Sequence, residues 1–438
     1  MNLFWKKLFG GLTSTAKFEQ EIKQFQDDML RYMQVEQSVE LAEYKELLHV
    51  VNTADFKEKK KTLENRKYKD TEEYRDNRKF QALQNKADIK SYYKILVSEE
   101  LKEYLSFQET PEFELLSDKK EVKKSDKLKK LKHFEQSKDY KIYIRLHDSY
   151  LIKEYEQLKK KVSTPEFVKS NEFWANKRRW ELVPEYQTEK RFNELNQNPD
   201  IQFFLKEKPA RFSAYRSLSL SFSDEFDRNV LSKSNWNFGF HYKNETLIGD
   251  HSFVNEQQAN NFGKNISVSN GSLHISTKKE QVKSRAWDTE KGFVEKKFDY
   301  TSDVIQAAEK THQQYGVFQA KIRCSGKINH AFWLGADQKL PFIEIFHYNG
   351  KLIKTGSVDG NGKNEAIVTG LNPSSDFYVY TLIWNEKEMI WMINNLVVHR
   401  ASNHIPKEKM YPVFNSFISQ SQKPHEGLLE VDWIRIYD

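Results

Sequence analysis

Two patterns of apolar spacing divide the chain. Up to about residue 205 the apolar positions recur at helical intervals among Lys, Glu, Gln and Leu, residue types that favour helix. Beyond that point come short runs of Val, Ile and aromatic residues that alternate with polar ones between turn pairs, the pattern of a sheet protein. Glycine marks the same division: after Gly10 and Gly11 none occurs until Gly239, and fourteen of the sixteen lie from there on. Pro209, within KEKPARF (206–212), ends the helical pattern. The spacing predicts an amphipathic helical segment at 1–30, a helical region at 31–208 and a sheet domain at 215–438. At 438 residues the chain can bury a core in each.

The helical region reads as a degenerate repeat. EYKELLHVVNTADF (43–56), EYLSFQETPEF (103–113) and EYEQLKKKVSTPEF (154–167) share a Glu-Tyr start and a Thr-x-x-Phe end. A trailing segment follows each, ending at 79–93, 130–144 and 191–205. In these, Asp88, Asp139 and Asp200 each stand four residues before an aromatic: Tyr92, Tyr143 and Phe204. The aspartates suit helix N-caps. Three helical modules of roughly 50–60 residues that stack or string together, burying their aromatics at the joints, are expected. The region holds no phosphate loop, metal-spaced Cys/His cluster or nucleophile elbow, so it reads as a surface for a partner.

The sheet half carries the chemistry. NISVSNGSLHIS (265–276) reads as a hairpin about Asn270-Gly271. Paired strands are expected in DFYVYTLIWNEKEMIWMINNLVVHR (376–400), with Trp384 and Trp391 buried and Asn394-Asn395 at the tip, and VDWIRIYD (431–438) reads as a closing strand. FSDEFDRNVLSKSNW (222–236), YGVFQAKIRC (315–324), AFWLGAD (331–337) and PFIEIFHYNG (341–350) complete a series. In that order the series resembles glycoside hydrolase family 16. The resemblance implies a β-sandwich jelly roll of the concanavalin A type with a cleft that binds polysaccharide. The chain is then a multidomain α and β protein, all-α helical repeats followed by that jelly roll.

The family's catalytic strand carries a nucleophile Glu, a central Asp and an acid/base Glu. In the bulged register the corresponding residues here are Phe342, Glu344 and His347. Retaining glycosidases need two carboxyl groups about 5–5.5 Å apart, and phenylalanine has no lone pair with which to attack. The expectation is a degenerate, non-catalytic module binding glycan or protein, with Trp333, Glu344 and His347 as ligand contacts. The alternatives are a glycosidase acting on β-linked O-glycosyl bonds with a rearranged Glu344/His347 site, and a purely structural protein whose cleft floor is filled by Phe342 and Phe346. The resemblance also implies a structural calcium ion, to which Glu225 and Asp432 would contribute; no other cofactor is expected.

Charge adds little. Seventy Lys and Arg against 63 Asp and Glu give +7, and the lysine-rich stretch 117–132 is interleaved with acids, which argues for a solvated helix face over nucleic acid. The single cysteine, Cys324, excludes an internal disulfide and suits a reducing compartment. Lys6 and Lys7 interrupt the first apolar stretch, so no secretory leader is expected and the location reads as cytoplasmic. Leu3, Phe4, Trp5, Leu8, Phe9 and Leu12 can share much of one helical face, a surface for a membrane interface or a partner groove, although most such short ends pack on their own protein.

Overall fold

The computed structural model describes the chain except residues 2, 4, 5, 7–9 and 242–250. It divides into two compact units: Met1–Tyr32 with Glu207–Asp438, and Met33–Lys206. The helical unit is thus an insertion between the first 32 residues and the rest of the β unit.

The helices follow the predicted periodicity. After α1 (Thr15–Glu36), the first half of the helical unit contains α2 (Val39–Asn52), α3 (Ala54–Asn65), α4 (Glu72–Gln84), α5 (Ala87–Leu96) and α6 (Glu99–Gln108). The second half contains α7 (Lys119–Lys124), α8 (Asp126–Gln136), α9 (Lys138–Leu146), α10 (Tyr150–Val162), α11 (Pro165–Ala175), α12 (Pro184–Asn196) and α13 (Pro199–Lys206); α14 (Ala210–Arg216) belongs to the β unit. Two of the three repeated Thr residues cap helices: Thr53 accepts from the Phe56 amide and Thr164 from the Phe167 amide, while the Thr110 hydroxyl donates to the Phe107 carbonyl. The aspartates are not. Ser137 caps α9 and Asn198 accepts from the amides of Asp200 and Ile201. Asp88, Asp139 and Asp200 therefore stand at the second helical position, where they favour the positive end of the helix dipole.

The copies do not follow one another in a linear stack. Packing is nested: α2 meets α12, α4 meets α10 and α11, α5 meets α9, and α6 meets α8. The buried aromatics decide this. Tyr92 and Tyr143, equivalent in two trailing segments, stack at 6.0 Å with planes 3° apart. Phe80 stacks on Tyr155 at 5.5 Å and Tyr44 on Phe192 at 5.5 Å. Tyr92 thus pairs with its equivalent in the next copy, while Phe80 and Tyr44 find their partners in the third. The buried Arg179 pins two helix ends, donating to the carbonyls of Trp174 and Asn176 (3.1 Å each) and of Arg66. Carbonyl ends of helices are where a cation is best tolerated without a carboxylate.

The β unit is the expected sandwich. One sheet contains β1 (Asn237–Phe238), β2 (Val304–Gln306), β3 (Asn329–Gly335), β4 (Phe342–Tyr348), β5 (Ile353–Val358), β6 (Lys363–Val368) and β7 (Tyr411–Phe417), in the order β6-β5-β4-β3-β7-β2-β1. The facing sheet runs Leu396–Ala401, Met389–Ile393, Tyr378–Trp384, Gly316–Ser325, Gly427–Tyr437, Ser272–Asp288, Gly292–Ser302 and Gln258–Asn260. Asn270-Gly271 and Asn394-Asn395 all take positive φ at hairpin tips, and Trp384 and Trp391 are each 1% exposed. Phe332, Ile343, Ile345, Phe346 and Phe414 from the first sheet meet Phe318, Ile322, Tyr380 and Leu382 from the second in one core.

The amino-terminal segment is fastened to this sandwich. Leu3 and Leu12 lie within its core, and the Leu3 amide bonds the Thr369 carbonyl at 2.7 Å. Phe18 packs on Val379 and Trp433, and Glu19 pairs with Lys321 at 3.0 Å. Of the amphipathic face, Leu3 and Leu12 pack into the protein's own core, the usual fate of so short a segment; Phe4, Trp5, Leu8 and Phe9 lie outside the described residues. Where the chain returns, Phe212 packs on Phe25 and Tyr32 of α1, and Arg211 pairs with Asp28 at 2.8 Å.

His330, one residue from the site on β3, is fully buried between the Ser416 hydroxyl (2.8 Å) and the Ser325 carbonyl (2.9 Å). Burial pushes its pKa down to about 4. The unfolded chain takes up this proton near pH 6.5 and the folded one near pH 4, so stability is complete above the first value and falls as pH drops toward the second. The loss expected is about 3 kcal/mol for that shift. Urea unfolding of the full chain between those pH values should show this slope for the β unit and lose most of it in His330→Gln; an unchanged slope in the variant would assign the acid sensitivity elsewhere.

Candidate functional site

The strand that decides the chemistry, β4, is held between β3 and β5 in antiparallel register. Trp333 faces Glu344 and Phe332 faces Phe346, so Ile345 is the extra residue of a β-bulge; on the other side Glu344 faces Gly356 and His347 faces Lys354. A bulge shifts the alternation by one. Ile343, Ile345 and Phe346 point into the core, while Phe342, Glu344 and His347 remain partly exposed on the outer face of the sheet. The expected bulged register is the one observed. It removes Phe346 from the cleft floor: that ring is fully buried, 4.4 Å from Tyr380. A register slipped by one alternation, which would place Phe346 and Tyr348 beside Glu344, is excluded by the same burial.

The three residues have different surroundings. Phe342 meets the Trp333 ring edge-on at 6.4 Å. Trp333 is partly buried, bonds Asn415 Oδ1 through Nε1 at 3.0 Å and packs with Val413 and Tyr411. It thus stands on the outer face beside Glu344, not in the core between the sheets. Gly335 makes this possible, since a Cβ there would lie 3.0 Å from the Trp333 ring and 3.2 Å from that of Tyr411.

Glu344 Oε1 lies 2.7 Å from His347 Nδ1, and His347 Nε2 lies 3.0 Å from Asn329 Oδ1. Asn329 in turn donates from Nδ2 to the Phe417 carbonyl and to Gln422 Oε1. Gln422 donates to the Asn349 carbonyl at 2.9 Å, which ties the chain of bonds to the β4–β5 turn. Both ring nitrogens of His347 therefore face acceptors supplied by the protein. The backbone beneath is fixed from the core, where Trp391 Nε1 donates to the Glu344 carbonyl at 2.9 Å.

Further charged groups share this face. Glu365 on β6 is bonded by Lys354 and Lys363, each at 2.9 Å, which hold its carboxyl below the usual range. At the Trp333 end, Asp337 Oδ1 lies 3.0 Å from His312 Nε2 and 3.6 Å from His241 Nε2, and both imidazoles stand edge-on to Tyr411. None of Asn329, Asn415, Lys354, Glu365, His241, His312 or Asp337 was singled out from sequence. The two-residue period run back from Trp333 along β3 reaches Asn329 and offered a signal for it; the others come from strands and loops distant in sequence.

The expected calcium ligands are otherwise engaged. Arg435 grips both oxygens of Glu225 at 2.7 and 2.8 Å, and Asp432 pairs with Lys321 at 3.0 Å. Among the described residues no group of three or more His, Cys, Asp or Glu is arranged to hold a metal ion. No described helix is long and apolar enough to cross a membrane.

Residues 253–435 match the sequence model of the glycosyl hydrolases family 16; the helical unit lies outside that match. Glucan endo-1,3-beta-glucosidase A1 of Niallia circulans is 23% identical over 217 residues, 43% of this chain and 30% of that protein. The endo-1,3-1,4-beta-glycanase EglC of Rhizobium meliloti is 26% identical over 250 residues, 50% of this chain and 52% of that one. The chain thus spans about half or less of these relatives. Among solved structures, the laminarinase catalytic domain of Thermotoga maritima aligns with 51% of this chain and 98% of its own at 21% identity and a TM-score of 0.41.

Proposed function

We propose that the family-16 β unit is a non-catalytic module that binds β-linked glycan on the outer face of its seven-stranded sheet. The observation that carries this reading is the state of the two end positions of the β4 motif. Phe342 supplies no nucleophile, and His347 turns both ring nitrogens to Glu344 and Asn329, so no proton donor there is directed outward. A retaining mechanism requires two carboxyl groups at close range, and the motif contains one. Trp333 beside Glu344 and Asn415 offers what sugar binding needs: an aromatic ring for the apolar face of a pyranose, flanked by polar groups for its hydroxyls.

The test is calorimetric titration of the full chain with 1,3-β-gluco-oligosaccharides, followed by chromatography of the sugar. Binding with intact sugar is expected, weakened about tenfold or more by Trp333→Ala, a loss of about 1.4 kcal/mol or more. Released reducing ends that vanish in Glu344→Gln would overturn the reading. They would favour the alternative that the 2.7 Å Glu344–His347 pair suggests, a rearranged acid/base site, which further requires a pH–rate limb from histidine and loss of activity in His347→Ala.

A further inference from the structure

The lysine-rich stretch 117–132 of the helical unit has eight lysines against three acids, an excess of five positive charges, and the structure shows where the acids go. Glu121 pairs with Lys124 at 2.7 Å and Asp126 with Lys129 at 2.8 Å. The Asp118 carboxylate accepts the Lys120 amide at 2.8 Å, at the start of α7. Just past the stretch, Glu135 takes Lys132 at 2.6 Å. Among the described residues no ion pair reaches Lys119, Lys120, Lys123, Lys127 or Lys130, and all five are exposed.

The fold turns their apolar neighbours inward. Leu128 and Leu131 join Tyr104, Phe107 and Leu116 in one core cluster, with Phe113, Val122 and Phe134 packed against it. Lys119 and Lys123 stand one turn apart on α7, as Lys127 and Lys130 do on α8, and Ser125 caps the second helix between them. Both helices pack on the turn Pro111–Ser117, which leaves Leu115 exposed at the margin of the lysines. A single-stranded nucleic acid is held by rings that stack on its bases and by the planar forks of arginine. Here the rings are in the interior and the stretch has no arginine. Lysine is a point charge on a flexible stem. It suits a layer of negative charges that need no register, such as anionic headgroups.

We propose that Lys119, Lys120, Lys123, Lys127 and Lys130 dock the helical unit on an anionic lipid surface, where it lies on the headgroups without entering the bilayer. Each lysine held near such a surface raises partition about fivefold, so a few acting together give firm attachment. The attraction fades within a Debye length, about 8 Å at 0.15 M salt, and a neutral lipid surface offers it nothing. This docking is independent of what the β unit binds.

The full chain is floated with vesicles of phosphatidylcholine alone and of phosphatidylcholine mixed with phosphatidylserine, at low and at high salt, and titrated with a single-stranded oligonucleotide. Binding to the mixed vesicles alone is expected, weakening steeply as salt is raised. Combining Lys119→Gln, Lys120→Gln, Lys123→Gln and Lys130→Gln should lower partition about a hundredfold or more. All four side chains are exposed, and Lys127 is kept because its ammonium lies over the Phe107 ring at 5.3 Å, so the thermal midpoint should stay that of the parent. A second variant removes the same charge elsewhere on the helical unit, through Lys57→Gln, Lys61→Gln, Lys67→Gln and Lys69→Gln, and should bind as the parent does. Absence of binding to the mixed vesicles, or equal binding to phosphatidylcholine alone, would overturn the inference. Equal losses in the two variants would do the same, since they would trace the attraction to overall charge. Tighter binding of the oligonucleotide than of the mixed vesicles would replace the lipid with a nucleic acid.

Discussion

Phe346→Ala is expected to cost the β unit about 3–5 kcal/mol, and Phe342→Ala, on the same strand, less than about 1 kcal/mol. The difference follows from one extra residue. With Ile345 bulged, Phe346 is fully buried, close against Tyr380, and its truncation leaves a void that the packed sheets cannot close. Phe342 is partly exposed, with Trp333 edge-on beside it, and its loss leaves space that water can occupy. Without the bulge the alternation would carry both rings to the same face. Unfolding midpoints of the two variants in urea measure this directly. Similar costs for the two would show that the bulge is absent in solution.

Removal of residues 1–32 is expected to leave the sandwich mostly unfolded. Leu3, Leu12 and Phe18 are 0%, 6% and 5% exposed. Burial of such side chains contributes about 1.5–3 kcal/mol each, so the three together account for about 5–9 kcal/mol, comparable to the entire stability of many domains. The Glu19–Lys321 pair and the bond from Asn394 to the Thr13 carbonyl go with them. Leu12→Ala alone should lower stability by about 2–4 kcal/mol. A 207–438 fragment with the thermal midpoint of the parent chain would refute this account of the segment.

The sandwich was legible because its signals are local: turn pairs at Asn270-Gly271 and Asn394-Asn395, strand alternation, and two tryptophans at fixed places on one hairpin. The bulge on β4 was legible only through the resemblance, since alternation by itself puts Phe346 with Phe342. Helix existence was equally plain, but not helix pairing. Tyr92 and Tyr143 announce buried positions without saying that they bury each other. The aspartates were misread as caps because Asp is a good N-cap in general, while here Ser137 and Asn198 stand two residues earlier and do that work. Leu3 and Leu12 carried the signal of an amphipathic face; what covers such a face is a tertiary fact. The ionic arrangement around Glu344 draws on β3, β5, β6 and two loops, and no short window of sequence contains it.

The bond between the Leu3 amide and the Thr369 carbonyl has a temporal meaning. At synthesis rates of about 5–20 residues per second, roughly 20–70 s separate the emergence of one partner from that of the other. During that interval the helical unit, whose innermost pairs join helices near in sequence, is free to complete its hairpin. Leu3 and Leu12 have no such partner within reach and must wait, apolar and uncovered, for strands made roughly 300 residues and more later. A segment made early is among the last to dock.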